Sequence, residues 1–222
     1  MKIQAVFWDY DNTILETAEA HWNKHFTILR RHAIHLPEKY RQRVYENNGI
    51  QNWEWMKAEL GLNLSQEAYL QEVDAEFHSL TNQLSMRPGV LQLIESIQKL
   101  KIPQAIITNA RRNSAEPVLK ARGIAAFMQF IVCKEDYASR KPEPDPYLMG
   151  LKKMAEALNQ PILSKHCLAI EDDPKGVESA HKAGLIVVHR KLYENEIDCP
   201  YADFSCYDRE DFLKTMQKIL KF

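Results

Sequence analysis

Two carboxylates near the start of the chain could bind a cation or take part in phosphate chemistry. Asp9 and Asp11 lie two positions apart in the stretch Asp9-Tyr10-Asp11-Asn12-Thr13, directly after an apolar run at 3–8 that predicts a buried strand. Carboxylates at the end of a buried strand are costly to desolvate unless an opposite charge compensates them. A divalent cation would do so, and a substrate phosphate could then approach through that cation. The same five residues are also typical of an ordinary turn, and the pentapeptide alone leaves both interpretations open.

Polar side chains also follow the later apolar segments that predict strands. The predicted strands are at 3–8, 103–108, 130–133, 167–170 and 185–189, with a sixth near 203–206. The polar side chains at their ends, or in the loops just beyond, are Thr108, Asn109, Lys141, Glu171, Asp172 and Asp173. Ligands of an open parallel sheet bind outside the carboxyl ends of its strands, so we expect these groups to meet Asp9 and Asp11 there. Oxygen ligands beside one lysine suit Mg²⁺ and a phosphate.

Each of these groups by itself also has an ordinary explanation. Lys141 alone is typical of a solvated surface lysine, and Asp173 before Pro174 is typical of a helix N-cap. Their joint placement favours function, because independent motifs in the predicted context support one another. Competing motifs are absent from the sequence, since its seven glycines form no Gly-x-Gly-x-x-Gly or Walker loop and no Gly-x-Ser-x-Gly occurs.

Helical patterns between the later strands predict a parallel α/β sheet. Apolar residues recur at helical spacing over 91–100. Asp145 before Pro146 and Asp173 before Pro174 each predict an N-cap followed by proline at the first helical position. Strands that alternate with helices imply βαβ units with right-handed crossovers, and therefore a doubly wound parallel sheet.

Residues 16–85 contain no convincing strand and predict an inserted helical domain. Three apolar stripes recur there at helical spacing, formed by Trp22, Phe26 and Leu29, by Trp53, Met56 and Leu60, and by Tyr69, Val73 and Phe77. Such a segment is too long for a loop and long enough for a small bundle. We therefore predict an α/β core domain from residues 1–15 and 86–222, and a helical cap domain from residues 16–85 that could act as a lid.

The composition has no strong charge bias. The chain has 29 Lys and Arg against 30 Asp and Glu, a formal net charge of -1, which argues against nucleic acid as the main partner. No apolar stretch reaches transmembrane length, and Asp9 and Asp11 interrupt any signal-peptide core. The four cysteines have no metal-type spacing and are expected to be reduced thiols. We therefore expect a cytoplasmic protein with no membrane partner.

Four motifs occur in a fixed order along the predicted core. They are Asp9-x-Asp11-x-Thr13, then Thr108-Asn109, then Lys141-Pro142-Glu143-Pro144-Asp145, and finally Glu171-Asp172 followed by Gly176 and Ala183-Gly184. In this order they resemble the haloacid dehalogenase (HAD) superfamily of phosphotransferases with an aspartate nucleophile. The helical insertion looks like the type-one cap of that family. Phosphoglycolate-phosphatase-like and β-phosphoglucomutase-like members are the most similar.

The resemblance implies Mg²⁺-dependent hydrolysis of a small phosphorylated metabolite, with a role for each matched residue. Asp9 would be the nucleophile that forms an aspartyl-phosphate, and Asp11 would be the general acid and base. The implied metal ligands are Asp9, Asp11 through its backbone carbonyl, Asp172 and, in or just outside the ligand set, Glu171. The groups implied to bind the phosphoryl oxygens are Thr108, Asn109 and Lys141, with Lys141 also neutralising their charge.

The chain departs from the family pattern next to the first motif. Asn12 replaces the usual glycine, and asparagine tolerates a positive φ, so we expect the turn to be kept. Trp8 stands where phenylalanine is common, and we expect this to change packing only. Two other functions are less consistent with the sequence. A non-catalytic member would be expected to lack Asp9 or Asp11, and a dehalogenase would lack Asp11 and act without a metal.

The cap sequence leaves a phosphatase and a mutase open. The stretch from Thr17 to His21 resembles the start of the cap in β-phosphoglucomutases, where the histidine assists the acid and base, so His21 is a candidate substrate-binding residue. His21 could equally be a packing or surface residue of the first cap helix. The arginine that would hold a second phosphate is missing after Gly49. A mutase must bind a bisphosphate, so hydrolysis is favoured and a sugar phosphomutase is the alternative.

Overall fold

The structure is a computed structural model that describes residues 2–221. In chain order its strands are β1 (Ala5–Trp8), β2 (Gln104–Ile107), β3 (Ile131–Val132), β4 (Cys167–Glu171), β5 (Ile186–Arg190) and β6 (Phe204–Cys206). Its α-helices are α1 (Ala18–Arg31), α2 (Arg41–Glu46), α3 (Gly49–Leu60), α4 (Gln66–Ser79), α5 (Val90–Lys99), α6 (Arg112–Ala121), α7 (Asp145–Leu158), α8 (Pro174–Lys182) and α9 (Arg209–Leu220). Short 3-10 helices lie at Glu38–Tyr40, Thr81–Gln83, Ile124–Phe127, Lys134–Asp136 and Ser164–His166.

The strands form one parallel sheet in the order β3-β2-β1-β4-β5-β6. The chain moves outward from β1 to β3 on one side and from β4 to β6 on the other, so the strand order reverses beside β1. In open α/β sheets this reversal creates the crevice in which ligands bind. The carboxyl end of β1 is therefore the favoured position for a site. This arrangement confirms the predicted doubly wound α/β fold with an inserted helical segment.

The central strands are buried along their whole length. Every residue of β1, β2 and β4 is buried, which explains why these segments are mostly apolar. Helix α7 approaches the sheet closely at Gly150, where an added Cβ would lie 2.6 Å from the Ile107 Cδ1 atom. This close packing fixes the loop before α7, which carries Lys141, against the end of β2.

The two predicted aspartate caps differ in outcome. Asp173 caps α8 as predicted, since its carboxylate accepts a hydrogen bond of 2.9 Å from the Lys175 backbone nitrogen. The same prediction for Asp145 is wrong, because Pro144 occupies the N-cap position and Asp145 is already helical. Its carboxylate instead accepts a hydrogen bond of 3.1 Å from the Ser139 nitrogen, in the preceding loop.

The indole of Trp8 does more than fill space in the core. Its Nε1 donates a hydrogen bond of 3.0 Å to the Gln104 side-chain oxygen, and the Gln104 amide nitrogen donates one of 3.0 Å to the Ile94 carbonyl. The expectation that Trp8 changes packing only is therefore wrong. A buried N–H group needs an acceptor, and Gln104 provides one while linking β1, β2 and α5.

The chain divides into two compact units, one holding the chain up to Leu15 and from Met86 onward, the other Glu16–Ser85. The second unit contains α1 to α4 and has its own apolar cluster. Members of the predicted stripes that are buried in this cluster are Trp22, Leu29, Met56, Tyr69 and Val73. Asn48 and Gln51 form a capping box at the start of α3, and Gly61 ends this helix with a φ of 75°. The helical segment therefore packs around a core of its own.

The fold also shows the environment of the cysteines and the character of the helices. Cys133, Cys167, Cys199 and Cys206 are all buried free thiols. None of the helices within residues 2–221 is long and apolar enough to cross a membrane.

Candidate active site

The chain turns sharply after β1, and this turn carries Asp9 and Asp11. The Asp9 nitrogen still donates to the Ile170 carbonyl of the neighbouring strand, at 2.9 Å. Asn12 then adopts a φ of 54°, so asparagine does take the left-handed conformation expected of it. The Arg87 guanidinium donates to the Asn12 carbonyl at 2.9 Å and holds the turn from the outside.

Lys141 extends beneath this turn and contacts two carboxylates. Its Nζ lies 2.6 Å from Asp9 Oδ1, 2.5 Å from Glu171 Oε1 and 2.8 Å from the Ile107 carbonyl oxygen. All three ammonium hydrogens therefore have protein acceptors. Burial opposes the charge of this amine, but Asp9 and Glu171 outweigh it and hold the pKa of Lys141 well above its ordinary value. Lys141 is thus a fixed positive charge beside Asp9.

The Glu171 carboxylate is positioned by two hydrogen-bond donors and by the space that a glycine leaves open. Its Oε1 accepts hydrogen bonds from Lys141 and from the Tyr147 hydroxyl. Its Oε2 occupies the space beside Gly176, where an added Cβ would lie only 2.1 Å away. Burial, and then the charge of Asp9, raise the pKa of Glu171 well above its ordinary value. The position of this carboxylate therefore depends on a glycine in the first turn of α8.

Three buried carboxylates could hold a metal ion together. Asp9, Glu171 and Asp172 each offer an oxygen, and these atoms lie within 4.8 Å of one another. The Thr13 hydroxyl donates to Asp172 Oδ1 at 2.7 Å. Burial is the main reason that the pKa of Asp9 rises to about 6 and that of Asp172 rises well above its ordinary value. A divalent cation fits this oxygen-donor set, because Lys141 alone compensates only part of its negative charge.

Thr108 and Asn109 lie at the end of β2, and their oxygen atoms already accept hydrogen bonds. The Thr108 hydroxyl accepts from the Ala110 nitrogen at 3.0 Å. The Asn109 side-chain oxygen accepts from the Tyr137 hydroxyl at 3.0 Å and from the Lys141 nitrogen at 3.1 Å. This arrangement orients both side chains so that the Asn109 amide hydrogens and the Thr108 hydroxyl hydrogen are donors suited to an anionic ligand.

The remaining predicted residues are placed differently. Asp11 is half-buried, and its carboxylate does not belong to the three-acid cluster. Asp173 is exposed at the start of α8. His21 lies on α1 of the helical unit, where its Nδ1 is 2.7 Å from Lys24 Nζ and its ring stacks on Phe77 with centroids 4.9 Å apart.

Sequence reasoning missed several residues that shape this site. Tyr147 binds Glu171, Tyr137 binds Asn109, and His189 donates to the backbone of Asp172. Tyr137 and Tyr147 lie near Lys141 in sequence, but their positions do not distinguish a core ring from a hydroxyl that binds a site residue. A histidine at the end of an apolar strand was the one available signal for His189.

Comparison with known proteins agrees with this geometry. Residues 6–189 match the haloacid dehalogenase-like hydrolase family, and the chain belongs to this family. It is 29% identical to N-acetylmuramic acid 6-phosphate phosphatase from Pseudomonas aeruginosa over 83% of this chain and 80% of that protein. It is 26% identical to hexitol phosphatase A from Escherichia coli over 85% of this chain and 83% of that protein.

The fold also matches solved structures. CbbY from Rhodobacter sphaeroides, crystallised with phosphate, superposes with a TM-score of 0.81 at 20% identity, covering 99% of this chain and all of that one. At this identity the likeness concerns the fold alone.

Proposed function

We propose that this protein is a Mg²⁺-dependent phosphatase that hydrolyses a small sugar phosphate or sugar-alcohol phosphate through an aspartyl-phosphate. The observation that carries the proposal is the buried cluster of Asp9, Glu171 and Asp172, with Lys141 bound to the first two, at the strand-order reversal of the sheet. Relatives of known name in this hydrolase family act on phosphate monoesters, which supports the reaction class.

Asp9 is the proposed nucleophile. Its carboxylate must be ionised to attack phosphorus, yet burial raises its pKa to about 6. The Lys141 ammonium, 2.6 Å from Asp9 Oδ1, favours the ionised form. A bound Mg²⁺ would favour that form further and would withdraw charge from the phosphoryl oxygens. Asp9, Asp172 and the Asp11 carbonyl are the proposed ligands. Glu171 is proposed to act just outside them, since one of its oxygens is committed to Lys141 and Tyr147.

Asp11 is the proposed general acid and base. Its half-buried position leaves it accessible to water, unlike the three buried carboxylates. In the first step it would protonate the leaving alkoxide, and in the second it would take a proton from the water that attacks the aspartyl-phosphate. Thr108 and Asn109 would donate hydrogen bonds to the phosphoryl oxygens, and Lys141 would neutralise their charge from beside Asp9.

His21 is proposed to contact the part of the substrate that is not phosphate. A lysine ammonium only donates hydrogen bonds, so Lys24 donates to His21 Nδ1, and the other ring nitrogen of His21 then carries a hydrogen. The support for this role is the resemblance of the stretch from Thr17 to His21 to the start of a β-phosphoglucomutase cap. We expect His21→Ala to raise KM for a sugar phosphate several-fold and to leave p-nitrophenyl phosphate hydrolysis nearly unchanged. The matched control is His35→Ala, an exposed histidine of the same unit.

The test of the proposed function is a phosphate-release screen. Purified protein would be assayed with Mg²⁺ against sugar phosphates, hexitol phosphates and p-nitrophenyl phosphate, with Asp9→Asn as the inactive control. We expect release from at least one sugar or hexitol phosphate, and loss of several orders of magnitude in rate with Asp9→Asn. No phosphate release with any compound of the panel would count against a phosphatase.

The same assay separates a phosphatase from a sugar phosphomutase. The resemblance of the stretch ending at His21 to a mutase cap is the observation in favour of the mutase. Conversion of β-glucose 1-phosphate to glucose 6-phosphate without phosphate release would establish the mutase. We expect phosphate release instead, since no arginine follows Gly49 to hold a second phosphate.

A further inference from the structure

His189 is the next-to-last residue of β5, follows three apolar residues of that strand and is completely buried. It pairs with Glu171 in the register of β5 and β4, so its ring lies beside the carboxyl end of the strand that carries the acidic cluster. An imidazole in such a position needs hydrogen bonds to offset its desolvation. The reaction described above assigns no role to this residue.

The His189 ring is hydrogen-bonded to the backbone of a proposed metal ligand. Its Nε2 lies 3.0 Å from the Asp172 carbonyl oxygen and 3.5 Å from Glu196 Oε1. A carbonyl only accepts hydrogen bonds, so Nε2 carries the hydrogen. His189 Nδ1 has no partner among the described residues.

Two side chains from different parts of the α/β unit therefore donate hydrogen bonds to Asp172. Thr13 donates to its carboxylate at 2.7 Å, and His189 donates to its carbonyl at 3.0 Å. The first contact comes from the turn after β1 and the second from the end of β5. Together they limit rotation of the Asp172 backbone, which would otherwise move the carboxylate away from Asp9.

Glu196 lies near the same ring nitrogen of His189 that donates to the Asp172 carbonyl. Its second carboxylate oxygen accepts from the Leu192 nitrogen at 2.8 Å and from the Tyr193 nitrogen at 3.4 Å. Its carbonyl accepts from Lys191 Nζ at 3.1 Å. The loop after β5 is thus folded around this carboxylate, whose Oε1 lies 3.5 Å from His189 Nε2.

We propose that His189 is a positioning residue of the metal site, which holds the Asp172 backbone so that its carboxylate stays within reach of Asp9, with Glu196 restraining the ring. This inference rests on the proposed function, because it assumes that Asp9 and Asp172 bind Mg²⁺. Partners that orient metal ligands typically change metal affinity 10–100-fold when they are removed.

The test compares Mg²⁺ binding by isothermal titration calorimetry in variants of β5. His189→Leu removes the donor, and His189→Gln keeps an N–H group of similar reach. We expect His189→Leu to weaken Mg²⁺ binding about tenfold, with KM for substrate unchanged at saturating Mg²⁺. We expect His189→Gln to recover most of that affinity, and Glu196→Gln to show a smaller loss.

Val187→Ala is the matched control, since Val187 is a fully buried residue of the same strand without a polar group. It should lower stability and leave Mg²⁺ affinity unchanged. Should His189→Leu fail to fold, His189→Asn replaces it, because its shorter amide cannot span the distance to the Asp172 carbonyl.

Two outcomes separate this inference from the proposed function. If wild-type protein binds Mg²⁺ and the loss-of-donor variant binds it equally well, the role of His189 is overturned while the phosphatase remains. If wild-type protein does not bind Mg²⁺ at all, both proposals are overturned.

Discussion

At the scale of single residues, the site contains more buried carboxylates than positively charged groups to compensate them. Asp9, Glu171 and Asp172 lie close together, and Lys141 bonds directly to two of them. Burial raises the pKa of all three acids. The arrangement is unfavourable without a cation but suited to binding one, as is common where function and stability compete.

The pKa of Asp9 leads to a prediction about stability and pH. Its value rises from 3.8 to about 6 on folding, so the metal-free folded state binds more protons than the unfolded state between these values. The stabilisation is present below pH 3.8 and is lost as pH rises through about 6. We therefore expect Asp9→Asn to make the metal-free protein more stable than wild type at pH 7, by up to about 3 kcal/mol.

Urea denaturation with a chelator, at pH values from 4 to 7, would measure this difference. Glu95→Gln on the exposed side of α5 is the control, because it removes an acid that lies outside the site. A wild-type protein as stable as Asp9→Asn at pH 7 would contradict the assigned burial of this charge.

At the scale of elements, the start of α8 and the end of β4 form one unit of the site. Glu171 ends β4, and its carboxylate lies against Gly176 in the first turn of α8. Asp173 caps the same helix. The helix therefore determines where the Glu171 carboxylate lies, and through Lys141 it affects Asp9.

Gly176→Ala should lower activity through Glu171. The added Cβ would lie 2.1 Å from Glu171 Oε2, so the carboxylate must move and its bond to Lys141 weakens. We expect kcat to fall at least tenfold, with the free energy of unfolding lowered by about 1–3 kcal/mol. Kinetics and urea denaturation would measure the two effects. Lys175→Ala, an exposed neighbour on α8, should change neither. Unaltered kcat in Gly176→Ala would show that the Glu171 position does not matter for turnover.

The link from Trp8 through Gln104 to Ile94 predicts coupled effects on stability. Gln104→Leu leaves the buried indole N–H without an acceptor, and we expect it to cost about 1–3 kcal/mol of unfolding free energy. Adding Trp8→Phe removes the unsatisfied donor, so the double variant should lose less than the sum of the two single losses. A double-mutant cycle by urea denaturation measures this coupling, and strict additivity would mean that the hydrogen bond contributes nothing.

At the scale of the whole molecule, the chain consists of an α/β unit that carries the acidic cluster and a helical unit with its own apolar core. The helical unit is inserted between the first strand and the rest of the sheet. The cluster joins residues from both sides of this insertion, so the site exists only when both segments of the α/β unit are folded together.

Mg²⁺ should therefore stabilise the folded protein by mass action. A ligand that binds only the folded state adds about 2.7 kcal/mol when its concentration is a hundred times its dissociation constant. We expect Tm to rise steadily with Mg²⁺ concentration, and NaCl of equal ionic strength to have little effect. Asp172→Asn should lose most of the increase, since it removes one of the three clustered acids. A Tm that does not respond to Mg²⁺ in the wild type would refute a metal site in this cluster.

The sequence alone determined the strand segments, their parallel arrangement and the residues at their carboxyl ends. These features are local, because a buried strand needs a continuous apolar run and a switch-point site needs polar groups just after it. It also indicated the family, since the motifs are short and keep their order. The Asp145 cap failed for a local reason too, because α7 begins one residue earlier than predicted, with Pro144 at the N-cap position.

Only the tertiary structure decided which groups bind one another. Thr13 and Asp172 are 159 residues apart in sequence, and Lys141 is 132 residues from Asp9, so no spacing rule could pair them. Glu171 and Gly176 belong to one sequence motif, but only the packing of α8 shows that the Glu171 carboxylate lies against the glycine. The hydrogen bond from His189 to the Asp172 carbonyl likewise depends on how β5 and β4 lie side by side. Whether two side chains bind each other depends on how the helices pack on the sheet, to within an ångström. The dense packing of the folded protein sets these positions, and periodicity along the chain does not.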